Sequence, residues 1–139
     1  MGKRRRRDRW DILLAEDNDD HALLIQRALK RASHVPIEVR RARNGDQAVQ
    51  MVEDCKPDLI LLDLKMPGRN GHEVLAVIKA DEEFRRIPVA VLTSSDQDED
   101  VAASYALGGN HFITKPETPE ELEHSLGRLL TNMEELSRV

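Results

Sequence analysis

The chain has 139 residues, enough for one domain with a buried core. Its formal net charge of −5 makes nucleic acid an unfavourable partner, and its single cysteine, Cys55, excludes an internal disulfide. There is no signal peptide and no apolar run near the ~20 residues that span a bilayer, so we expect a cytoplasmic protein without membrane contact.

A basic segment, Lys3–Arg7, stands near the start of the chain. Such a run is typical either of a nucleic-acid or localisation patch or of a solvated tail. It precedes the first periodic segment, and no aromatic residue other than Trp10 accompanies it, which favours the tail. We therefore predict that residues 1–10 are a disordered tail and that residues 11–139 form one domain with no output domain.

The first predicted strand is the short apolar run Ile12–Ala15, which is followed by the polar segment Glu16–Asp20. Helical spacing then covers residues 19–33, with Asp19 or Asp20 as the expected N-cap. The apolar face predicted for this helix contains Leu23, Leu24, Ala28, Leu29 and Ala32.

Residues 35–39 alternate as a shorter, more exposed strand, and the Asn44-Gly45 turn signal precedes a second helix that Lys56-Pro57 ends. The next run, Leu59–Leu62, is apolar without interruption and stops at Asp63. Such a run is typical of a strand buried on both faces, as in a parallel sheet. Asp63 is therefore expected at the carboxyl end of a central strand.

The remaining predicted elements are a helix containing Val74, Leu75 and Ile78, a strand over 87–92, a helix over 97–107, a strand over 111–114 and a helix that begins near Thr118. Thr118 is a plausible N-cap with Pro119 at the first helical position. Five strands alternating with five helices predict a doubly wound parallel α/β sheet with helices on both faces.

Parallel strands bring their carboxyl ends to one edge, where the acids at 16–20, Asp63, Thr93-Ser94-Ser95 and Lys115 should meet. A nucleotide or flavin phosphate would require a Gly, Ser or Thr loop after the first strand, whereas the acidic loop would repel it. Clustered carboxylates need a cation, and oxygen ligands favour Mg²⁺. Asp63 could then be a nucleophile toward a phosphoryl group, with Thr93 and Lys115 as donors to its oxygens.

These features together resemble the receiver domain of two-component response regulators, from Asp11 to about Leu130. The matching motifs are Glu16-Asp17, Asp63 with Met66, Pro67 and Gly71, Thr93 with Ser94, and Lys115-Pro116. The resemblance implies a flavodoxin-like fold with strand order 2-1-3-4-5. It also implies that Asp63 accepts a phosphoryl group from a phosphohistidine on a sensor histidine kinase. Such a domain catalyses its own phosphorylation and dephosphorylation and is not otherwise an enzyme.

The resemblance further assigns individual roles. The residues implied to hold Mg²⁺ are Asp17, Asp63, the backbone carbonyl of Lys65 and, through water, Glu16. Lys115 and Thr93 would contact the phosphoryl oxygens, and the Lys115-Pro116 bond would be cis. Thr93 and Phe112 would form the switch, the pair of residues that change position on phosphorylation. Because Phe112 has no phenol hydroxyl, only the packing of its ring could transmit this change. Gly108-Gly109 stands where Gly-Ala is more usual in the family. Lys65 and Ser95 occupy the two positions that, in receivers, tune the access of hydrolytic water to the phosphorylated aspartate.

A narrower similarity, in Ile78–Asp81 and Arg85–Pro88, is to stand-alone receivers that partner bacterial phytochrome-type kinases. It implies such a kinase, an unknown downstream protein and a homodimer as partners. Two other functions compete with that of a phosphoacceptor. An aspartyl-phosphate hydrolase would have a second acid where Lys65 stands, and an interaction module without phosphorylation would lack one of the matching motifs. Among the histidines, His21 and His72 could border the site, but the surface tendency of histidine favours a solvated or capping role. His111, beside Phe112, is a candidate pH sensor.

Overall fold

The computed structural model of the chain describes residues 8–64, 66, 70–93, 111–114 and 118–137. In chain order its elements are β1 (Trp10–Ala15), α1 (Asp19–Ala32), β2 (Ile37–Ala42), α2 (Gly45–Cys55), β3 (Leu59–Leu62), α3 (Gly71–Ala80), β4 (Val89–Thr93), β5 (His111–Thr114) and α4 (Pro119–Ser137). The helix predicted over 97–107 lies outside the described residues. No helix in the part of the chain described here is both long and apolar enough to cross a membrane.

The five strands form one parallel sheet in the order β2-β1-β3-β4-β5, which confirms the predicted fold class. Alternate residues of each strand point to opposite faces. On β3, Leu59 and Leu61 pack with α1 and α4, whereas Ile60 and Leu62 pack with α2 and α3. Both faces of β3 are thus covered, which explains why its four residues are all apolar and fully buried.

Strands β1 and β2 extend beyond their predicted ranges because pairing, and not apolar content, sets the start of β1 and the end of β2. Trp10, which we assigned to the tail, is the buried first residue of β1, and it pairs with Ile37. Strand β2 pairs with β1 along its whole length and so runs on through polar residues to Ala42. The predicted end of this strand at residue 39 and the predicted domain start at residue 11 were therefore wrong.

Helix α1 also differs from prediction in its cap and in its buried face. Asn18, not Asp19 or Asp20, is the N-cap, and its side chain accepts the His21 backbone N–H at 3.0 Å. Asp19 and Asp20 instead lie in the first turn, where acids favour the positive helix end. The buried residues of the helix are Ala22, Ile25, Ala28 and Leu29. Leu23 and Leu24 are 48% and 41% exposed, so their predicted place on the core face was wrong.

Side-chain caps begin the other helices as well. Asn44 and Asn70 cap α2 and α3, each by accepting the N–H three residues further on. The hydroxyl of Thr118 accepts the Glu121 N–H at 3.2 Å, which confirms the predicted cap of α4. At the other end of α2, Lys56 adopts a left-handed conformation (φ 44°) that stops the helix. Because α1 and α3 start just beyond β1 and β3, their first turns lie at the carboxyl edge of the sheet.

Candidate functional site

Three carboxylates meet at the carboxyl edge of the sheet. Glu16 and Asp17 follow β1, Asp63 follows β3, and one oxygen of each side chain lies within 4.8 Å of those of the other two. The strands β1 and β3 are neighbours with Ala15 opposite Leu62, so the register itself places these residues side by side. The structure therefore brings together the acidic residues that the sequence predicted as one site.

The backbone holds two of these acids firmly. Asp63 donates its N–H to the carbonyl of Ala15 at 3.0 Å, and Glu16 donates its N–H to the carbonyl of Ala42 at 3.0 Å. The Glu16 carboxylate accepts the Asn18 backbone N–H at 3.2 Å. Glu16 is 1% exposed and Asp63 7% exposed, whereas Asp17 is exposed. Glu16 and Asp63 are thus buried and held in a fixed orientation, whereas Asp17 lies at the solvent-exposed edge of the site.

Gly71 lets the start of α3 approach the backbone around Asp63. Its N–H donates to the Leu64 carbonyl at 2.9 Å. A Cβ at this position would lie 2.5 Å from the Asp63 carbonyl oxygen and 2.5 Å from the Leu64 Cα, well inside van der Waals contact. In the sequence Gly71 was only part of a motif. The structure supplies the physical reason, which is a close approach that only glycine permits.

A cluster of ion pairs borders the acids, and sequence reasoning missed it. Asp19 accepts hydrogen bonds from Arg41 Nη1 at 2.6 Å and Arg43 Nη1 at 3.0 Å. The hydrogen bond from Arg41 and the charges of both arginines hold the pKa of Asp19 below its usual value. Arg41 Nε also donates to the Glu16 carbonyl at 3.0 Å. The signal in the sequence that could have predicted this cluster is Arg41 and Arg43, which follow the second predicted strand. That strand was expected to lie beside the first strand and its acidic loop.

Two further predicted site residues, Thr93 and Phe112, lie on the neighbouring strands β4 and β5. Thr93 ends β4 at the same edge of the sheet and pairs with Thr114. Phe112 pairs with Val91, is half-buried and packs against the cluster that contains α2 and α3. The predicted site positions outside the described residues are Lys65, Ser94, Ser95, Gly108-Gly109 and Lys115-Pro116 with its expected cis bond.

The three histidines singled out from the sequence have different surroundings. The exposed ring of His21 has Nδ1 3.9 Å from Glu16 Oε1, so it does border the site. His72 lies in the first turn of α3, and its buried Nε2 has no hydrogen-bond partner among the residues described. His111 is half-buried on β5, and burial lowers its pKa because it disfavours the charged imidazolium.

The acidic cluster fits a divalent cation. Like charges this close repel one another, and burial of Glu16 and Asp63 adds a desolvation cost that a bound cation would offset. The donors are carboxylate oxygens, which are the ligands of hard cations such as Mg²⁺ and Mn²⁺. The residues present therefore suit the metal that the resemblance implies.

Comparison with known proteins agrees with this arrangement. Residues 12–127 match the model of the response regulator receiver domain. Response regulator Rcp1 of Synechocystis sp. is 40% identical over 118 residues, which cover 80% of this chain and 80% of that protein.

Two crystal structures are similar over most of the chain. The phosphorylated cyanobacterial phytochrome response regulator RcpA is 40% identical with a TM-score of 0.81, over 87% of this chain and 91% of that one. The Mn²⁺-bound form of Rcp1 is 36% identical with a TM-score of 0.78, over 88% and 92% of the two chains. From the extent of the domain match and these likenesses, we conclude that this chain belongs to the response regulator receiver domain family.

Proposed function

We propose that this protein is a response regulator in which Asp63 accepts a phosphoryl group from the phosphohistidine of a sensor histidine kinase. The observation that carries the proposal is the position of Asp63. It is a buried carboxylate at the carboxyl edge of the sheet, with the oxygens of Glu16 and Asp17 within 4.8 Å. An aspartate held in this way has the chemistry of the acceptors that form an aspartyl-phosphate.

In the proposed transfer, an oxygen of Asp63 bonds to phosphorus while the bond from phosphorus to the donor imidazole nitrogen breaks. The backbone bonds around Asp63 keep its carboxylate in place, which lowers the entropy cost of aligning it with the donor. Glu16, Asp17, Asp63 and the Lys65 carbonyl would hold Mg²⁺. When bound, it would neutralise charge on the transferred group. Thr93 and Lys115 would contact the phosphoryl oxygens.

Phosphorylation would then bias an equilibrium between two packings of the domain. We assign the switch to Thr93 and Phe112. Phe112 borders an open cleft of about 380 Å³ that His111 and, on α4, Ser125 and Arg128 also line. Phe112 pairs with Val91, and Thr93 lies two residues further along the same strand, so a movement of one switch residue can be passed to the other. The downstream partner would bind the surface that this movement alters.

Similarity to RcpA and Rcp1 supports a narrower proposal for the kinase. RcpA is a phytochrome response regulator that was crystallised in phosphorylated form, and Rcp1 was crystallised with Mn²⁺. We propose a phytochrome-type histidine kinase as the partner, a cytoplasmic location, and self-association as a homodimer, without a role for nucleic acid.

The test is the mass of the intact protein after incubation with acetyl phosphate and Mg²⁺. We expect a gain of one phosphoryl group in the wild type, and no gain with EDTA or in Asp63→Asn. Asp58→Asn is the matched control, because Asp58 lies just before β3, at the opposite edge, where it accepts the Asp11 N–H at 2.9 Å. This variant should be labelled like the wild type.

No labelling of the wild type, under conditions in which another receiver is labelled, would overturn the proposal. An interaction module that works without phosphorylation would then be the better description. Purified phytochrome-type and unrelated kinases, each phosphorylated beforehand, would test the choice of partner through the rate of transfer to Asp63.

A further inference from the structure

The exposed acid of the site, Asp17, is held less firmly by the described residues than the two buried acids are. Within the described residues its carboxylate makes no hydrogen bond, in contrast to that of Glu16. Its position relative to Asp63 therefore depends on the backbone of the short turn between β1 and α1. What holds that turn decides whether Asp17 can share a cation with the two buried acids.

Arg41 holds the turn on both sides of Asp17. From β2 its Nε donates to the backbone carbonyl of Glu16 at 3.0 Å, one residue before Asp17. Its Nη1 donates to the carboxylate of Asp19 at 2.6 Å, two residues after Asp17. The planar guanidinium makes both bonds at once with a fixed geometry, which a lysine ammonium cannot reproduce.

The surroundings of Arg41 favour a structural clamp over a solvated charge. Its side chain is only 15% exposed, whereas that of Arg43, which also contacts Asp19, is 62% exposed. The Nη2 atom of Arg41 is buried and has no partner among the residues described. Burial of a donor without a partner is costly, so the two bonds to the turn must outweigh that cost.

We infer that Arg41 is a positioning residue for the divalent-cation site, because its bonds to Glu16 and Asp19 hold the turn that carries Asp17. The inference rests on the proposed function, in which Asp17 is a ligand. Arg41 would not itself be a ligand of the cation. It acts through the backbone, as outer-shell partners of metal ligands do.

Positioning and simple electrostatics predict opposite effects when Arg41 is replaced. Removal of a positive charge beside a cation site would by itself strengthen cation binding. Loss of an outer-shell partner weakens metal binding by about 10–100-fold in typical sites. The sign of the change therefore distinguishes the two roles.

The experiment measures Mn²⁺ binding to the full chain by the decrease of the free Mn²⁺ signal in electron paramagnetic resonance. We expect Arg41→Met to bind Mn²⁺ about 10-fold more weakly than the wild type. Arg41→Lys should also bind more weakly although it keeps the charge. Arg43→Met is the charge control: it removes a positive charge from Asp19 but leaves both Arg41 bonds, so it should bind at least as tightly as the wild type.

Arg41→Met binding equal to or tighter than that of the wild type would overturn the inference. If circular dichroism shows that Arg41→Met does not fold, the Mn²⁺ affinity of Arg41→Lys is the deciding measurement. Wild-type affinity in Arg41→Lys would also overturn the inference, because the two directed bonds of the guanidinium would then not be needed. Failure of the wild type to bind Mn²⁺, or an unaltered affinity in Asp17→Asn, would instead overturn the proposed cation site. The two failures are therefore distinguishable.

Discussion

Substitution of Gly71 by alanine should disturb both the fold and the acceptor site. The added Cβ would lie 2.5 Å from the Asp63 carbonyl oxygen and 2.5 Å from the Leu64 Cα. Both are backbone atoms, so no flexible side chain can move aside. The start of α3 must instead move away from the backbone that carries Asp63.

The size of the effect follows from two opposing contributions. Overpacking at a rigid site costs about 3 kcal/mol at the upper end of the usual range. Replacement of glycine by alanine in a helix returns up to about 1 kcal/mol. We therefore expect Gly71→Ala to lower the free energy of unfolding by about 2 kcal/mol. A displacement of about 1 Å at Asp63 would also slow phosphorylation by roughly 100-fold.

Gly127→Ala is the matched control within the same chain. Gly127 lies inside α4, and a Cβ there would meet the Ala32 Cβ at 3.5 Å, an ordinary contact. This variant should be more stable than the wild type by about 0.5–1 kcal/mol. Urea unfolding and the rate of labelling by acetyl phosphate measure both quantities. A Gly71→Ala protein as stable and as rapidly labelled as the wild type would refute the close-approach argument.

Two further predictions concern the cap of α1 and His111, the half-buried histidine of β5. Asn18→Ala should lose about 1 kcal/mol of stability in urea unfolding because it removes the acceptor of the His21 N–H. Asn18→Asp keeps an acceptor and should remain near the wild type, and equal stability of the alanine variant would contradict the cap. Burial lowers the pKa of His111, so the unfolded chain binds a proton more readily than the folded one. The stability of the wild type relative to His111→Gln should therefore decrease as pH falls from about 7 through 6.5 toward the lower, folded-state pKa, and an unchanged difference between the two proteins would exclude the effect.

The sequence by itself determined the class of fold and the acidic part of the site. Uninterrupted apolar runs such as Leu59–Leu62 occur where a strand is covered on both faces, and their alternation with helical repeats left a parallel sheet as the consistent arrangement. Once the strands are parallel, acids that follow two of them must lie at one edge. The grouping of Glu16, Asp17 and Asp63 could therefore be predicted from chain order and is confirmed by the structure.

The tertiary structure decided everything that depends on a distant partner. The start of β1 at Trp10 and the length of β2 follow from pairing between the two strands, which no local pattern records. The need for glycine at position 71 follows from the path of the backbone at Asp63 and Leu64. Arg41 and Asp19 are 22 residues apart in the chain, and only the register of β2 against β1 places that guanidinium over the acidic turn. Hydrophobic periodicity encodes which residues an element buries, whereas the contacts between elements are set by how the elements pack.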